Sequence, residues 1–99
     1  MKTIVFLGSK NIGYKCLKYL FDNQKNLNVK LIGVLTNARG EKVVEYCRSK
    51  SIKIINGLDE FLKINSCDIA VSVQYHEILK KQHIQKATEI FVNLHICLN

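Results

Sequence analysis

The chain has 99 residues, 47% of them hydrophobic, with a formal net charge of +7 and no proline. That length makes one domain or part of one, burying about two-thirds of the surface its unfolded chain exposes, and the apolar content excludes disorder. No apolar run approaches the ~20 residues of a membrane span, and the run at 4–7 is too short for a signal peptide, so a cytoplasmic protein is expected.

Apolar periodicity predicts alternating strands and helices. TIVFLG (3–8) is a continuous apolar run ending in Gly, the pattern of a buried parallel strand. From Asn11 as N-cap, Ile12, Cys16, Leu17 and Leu20 share one face of a helix reaching about Gln24. VKLIGVLT (29–36) is the second strand, followed by a helix over 41–49 that buries Val43, Val44 and Cys47. IKII (52–55) is the third strand, and Leu58, Phe61 and Leu62 mark a short helix. DIAVSV (68–73) is the fourth strand, 77–87 a helix, and EIFVNLH (89–95) the fifth strand.

Short strand–helix connections imply right-handed crossovers. The expected fold is therefore α/β: a Rossmann-like, doubly wound, mostly parallel sheet of five strands in the order 3-2-1-4-5. Ligands in such sheets bind at the carboxyl ends of the strands, near the switch point. The loops opening at Ser9, Thr36, Gln74 and His95 share that edge.

The positive charge is spread, with Lys15, Lys18 and Lys25 on the first helix and Lys80 and Lys81 near the last. It describes a solvated lysine surface, or a field that draws in an anionic substrate. Cys16, Cys47, Cys67 and Cys97 form no Cys-x-x-Cys pair and read as four small buried thiols. His95 with Cys97 makes only two ligands, so no metal site is expected.

GSKNIGYK (8–15) has Tyr14 and Lys15 after its second Gly, where a P-loop needs Lys and then Ser or Thr. A dinucleotide fingerprint needs Gly at position 10, which is Lys, and an acid where Thr36, Asn37, Ala38 and Arg39 stand. Arg39 suits a 2′-phosphate, which keeps an NADP-binding module open. Otherwise Gly8 permits a tight turn and Gly13 close helix–sheet packing. The helix-start amides with Lys10 suit a phosphate. In SVQYHEIL (72–79), Tyr75 and His76 are ordinary loop residues or ligands at the same edge. Asn93 and His95, two apart in a strand, point the same way. An amide NH₂ can donate to an oxyanion while an imidazole takes and returns a proton. On spacing alone, a polar strand end is the plainer account.

IVFLGSKNIGYKCLKYL, LIGVLTN, DIAVSVQYHEIL and VNLH, in this order and spacing, resemble the folate-dependent formyltransferase family. That family includes methionyl-tRNA formyltransferase, glycinamide ribonucleotide transformylase and the sugar-nucleotide N-formyltransferases. The Gly-Ser-Lys turn and SVQYHEIL are most similar to the sugar-nucleotide branch. The resemblance implies a transferase moving a formyl group from 10-formyltetrahydrofolate to the amine of an amino-sugar nucleotide. Asn93 would stabilise the oxyanion and His95 relay the amine's proton. Gln74, Tyr75, His76, Glu77, Ile78 and Leu79 match the pterin-binding loop, and Ser9 and Lys10 would contact the sugar nucleotide. The family's catalytic Asp and Pro-containing loop, which follow the His, have no match in ICLN (96–99). Residues 1–99 are thus expected to be a C-terminally incomplete N-terminal domain, inactive alone, whose apolar fifth strand is an edge for self-association. Methionyl-tRNA formyltransferase is an alternative, under which alone nucleic acid is a partner. A non-catalytic or NADP-binding Rossmann-like module is another.

Overall fold

The computed structural model describes residues 2–36, 40–63, 67–73 and 87–94. The elements in chain order are β1 (Lys2–Gly8), α1 (Lys10–Asp22), α2 (Gln24–Leu27), β2 (Val29–Leu35), α3 (Glu41–Lys50), β3 (Ile54–Ile55), α4 (Leu58–Lys63), β4 (Cys67–Val73) and β5 (Ala87–Leu94). Strands β3, β2, β1 and β4 lie in that order, all parallel, which is a Rossmann-like α/β sheet. The backbone of β5 runs parallel beside β4 at the end of the order. No helix among the described residues is long and apolar enough to cross a membrane.

Strand β1 is central and buried on both faces, which explains its continuous apolar run. Val5 and Leu7 enter one core with Leu35, Ile55, Phe61, Cys67 and Ala70. Phe6 enters the other, beneath α1 and α3, with Leu17, Val34, Val43, Tyr46, Cys47 and Val73. Strand β2 serves both cores through an irregularity. Ile4 pairs with Leu31 but Val5 with Gly33, leaving Ile32 extra. Leu31 and Val34, three apart, therefore pack on one core, while Ile32 and Leu35 pack on the other. A regular strand would separate each pair onto opposite faces. The side chain of Gln24 braces this stretch, its Oε1 accepting from Leu31 N–H at 2.8 Å.

Several boundaries differ from those expected. Ser9, not Asn11, caps α1, because Ser9 is extended (φ −149°, ψ −179°) and its carbonyl accepts from Gly13 N–H at 3.0 Å. Asn11 sits in the first turn and accepts from Lys42 Nζ at 3.3 Å. Lys25 belongs to α2, a separate turn closed by Asn28 in the left-handed conformation. Helix α3 buries Tyr46 and leaves Val44 half-buried. The Tyr46 ring meets Tyr14 and Phe21 edge-on, with centroids 5.7 and 6.0 Å away, contacts that periodicity alone does not reveal. Only Ile54 and Ile55 join the ladder as β3, although the Lys53 carbonyl also accepts from Val34 N–H at 3.0 Å. Ala87, expected to end a helix, opens β5, since it pairs with Cys67. The rest of the helix expected over 77–87 lies outside the described residues.

At the amino end of the sheet, β1 and β4 are pinned by side chains. Thr3 N–H donates to Asp68 Oδ2 at 2.8 Å and Thr3 Oγ1 to the same oxygen at 3.3 Å, while Asp68 N–H donates to Thr3 Oγ1 at 3.1 Å. Removing the carboxylate strips Thr3 N–H of this acceptor in a half-buried setting. Asp68→Ala is expected to cost about 1.5–3 kcal/mol, the range for hydrogen bonds to charged groups. Urea unfolding should show a lower midpoint at unchanged slope, and an unchanged midpoint would refute the clamp.

Candidate active site at the carboxyl edge

Strand register aligns the upper edge of the sheet. Gly8 of β1 pairs with Val73 of β4, and Val73 with Leu94 of β5. The turn after β1 opens where the strand order reverses, between β2 and β4, the place at which open α/β sheets take ligands. One level below, Leu7 pairs with Ser72 and Ser72 with Asn93. Asn93 thus lies two strands from β1, about 10 Å across the sheet at the usual strand spacing.

The first turn of α1 sits directly on this edge. A Cβ on Gly13 would lie 3.2 Å from the carbonyl carbon of Gly8 and 4.0 Å from the Val73 carbonyl oxygen, so the expected close packing is present. Gly8 has a different role from the expected tight turn. Its φ is not left-handed, but a Cβ there would stand 2.6 and 2.9 Å from Cε1 and Cζ of Phe6. Gly8 makes room for a buried ring.

Ser9 is fully buried behind the turn, and Lys10 is half-buried. Lys10 has φ +59°, a left-handed conformation that disfavours any residue with a Cβ by about 1–2 kcal/mol. Position 10 is where a dinucleotide fingerprint carries Gly. The backbone therefore makes a turn that Gly would favour, with a lysine in it. Thr36, just past β2, buries an Oγ1 that has no hydrogen-bond partner among the described residues. Ser72 is another buried hydroxyl, 1% exposed, in the upper half of β4, where its neighbours Ala70, Val71 and Val73 are apolar. Sequence reasoning puts Thr36 at the ligand edge without giving it a role, and gives Ser72 none. For Ser72 the available signal was a polar residue inside DIAVSV, and for Thr36 its place at a strand end.

Among the predicted site residues, the structure brings Ser9, Lys10 and the backbone of Asn93 to one edge. His95, Gln74, Tyr75, His76, Glu77, Ile78 and Leu79 lie outside the described residues, as do Arg39, Lys80, Lys81 and Cys97. Among the described residues, no three His, Cys, Asp or Glu side chains gather as a metal cluster. Cys47 and Cys67 are buried, as expected, but Cys16 is only half-buried because it lies at the margin of the α1 contact. Burial raises all three thiols, Cys47 to about 11, so they stay protonated near neutrality. Neutral thiols are poor nucleophiles.

A parallel sheet with a helix start at its switch point defines a Rossmann-like domain. No family model matches the sequence, and no curated protein shows significant similarity to it. Among solved structures, crystals of S. aureus homoserine dehydrogenase at pH 6.5, 7.0 and 6.0 superpose on 93% of this chain with a TM-score of 0.57 at 18% identity. The chain spans 26% of that enzyme's length. At this identity the likeness shows the fold alone.

Proposed function

We propose that the chain is the donor-binding, N-terminal part of an N-formyltransferase, which moves a formyl group from 10-formyltetrahydrofolate to the amine of an amino-sugar nucleotide. The observation that carries this reading is the register of the upper edge. Ser72 pairs with Asn93 while Val73, the residue before Gln74, pairs with Gly8, so the backbones of three segments that resemble the family lie along one edge. The acceptor amine attacks the formyl carbon, and the carbonyl oxygen becomes an oxyanion. Asn93 donates its amide N–H to that oxygen, a contribution of roughly 10²–10³ in rate for one such donor. His95 takes the proton from the attacking nitrogen, the bond from the formyl carbon to the folate nitrogen breaks, and that nitrogen is protonated as it leaves. Ile78 and Leu79 pack on the pterin, whose polar edge is read by backbone groups of 74–79. Ser9 and Lys10 meet the phosphates of the acceptor.

A second reading, an NADP-binding module, is favoured by the left-handed Lys10 at the fingerprint's Gly position. An NMR titration separates the two. A reduced folate is expected to shift the amides of 75–79. Shifts confined to 8–13 on adding NADPH, with none from folate, would overturn the formyltransferase reading in favour of the second.

The same reading includes self-association. Strand β5 ends the order of the described strands, and 87–94 contains neither Pro nor Lys to block pairing along its outer edge. The 99-residue chain is expected to sediment as a dimer or larger species, with Val92→Lys shifting it toward monomer. A wild-type monomer at high concentration, with fast-exchanging amides at 90–94, would count against pairing through β5.

A further inference from the structure

We draw no further inference here: the strongest candidate, the apolar groove of about 350 Å³ that Cys16, Tyr19, Leu20 and Leu27 form over Val71 and Val73 of β4, carries nothing because nothing in the structure shows what covers it.

Discussion

Phe6→Ala is expected to remove about 3–5 kcal/mol of stability, the usual cost of deleting a buried phenyl ring. The ring is 1% exposed on the central strand and packs in the core with Leu17, Val34, Val43, Tyr46 and Val73. A domain of this size holds about 5–15 kcal/mol in all. The thermal midpoint should therefore drop by roughly 15–30 °C, or the fold be lost. A double-mutant cycle with Gly8 makes the expectation more specific. Gly8→Ala alone places a methyl group 2.6 Å from the ring and should cost about 1–3 kcal/mol through overpacking. With Phe6 already alanine, the methyl group has room, so the double variant should be more stable than the sum predicts by about 1–2 kcal/mol. Strictly additive costs would show that Gly8 is not there to accommodate the ring.

Alkaline conditions should weaken the fold between about pH 9 and 11. Burial raises the Cys47 thiol to about 11, against 9.0 for an unperturbed one. In that window the unfolded thiol has lost its proton while the folded one keeps it, so the native state binds more protons and stability falls with rising pH. Protection is complete below pH 9 and gone above 11. Two pH units correspond to about 2–3 kcal/mol. Cys16 and Cys67 are raised in the same direction by burial, as is Tyr46 by burial and then by Asp22, so they add to the effect. Cys47→Ala should flatten the slope of stability between pH 9 and 11 while leaving the slope between pH 6 and 8 unaltered. Equal alkaline slopes in both proteins would rule the thiol out as the cause.

The order of β3, β2, β1 and β4 was legible because each strand is a short apolar run and each connection is short, which restricts the crossovers. The irregularity at Ile32 was not legible. Leu31, Ile32, Val34 and Leu35 are all apolar, so a run buried on both faces carries no alternation from which a slipped register could be read. Tyr46 was missed for a related reason: a tyrosine counts as half-polar in a helical pattern until Tyr14 and Phe21 are seen beside it. At the candidate site, Gly13 announced its packing through composition alone. Lys10 did not announce its left-handed backbone, since lysine carries no preference for it. That the backbone of Asn93 lies level with Ser72 and Leu7 depends on pairings between strands far apart in the chain, and spacing along the chain does not encode them.

The pairing of Thr3 with Asp68 spans 65 positions, and it bears on how the chain is made. Strand β2, which pairs with β1 from Lys2 and Val29 onward, is synthesised soon after it, but the other neighbour of β1 is synthesised only after β3 and α4. On a ribosome adding 5–20 residues per second, roughly two to eight seconds separate the completion of β2 from that of β4. In a β1–β2 pair formed during that interval, the innermost strand of the finished sheet would be an outermost one. TIVFLG would present a row of free amide and carbonyl groups, with no proline and with Lys2, at the amino end of the strand, as the one charge to repel a neighbouring nascent chain. The hazard of premature pairing thus falls on β1 during translation, and the arrival of β4 ends it.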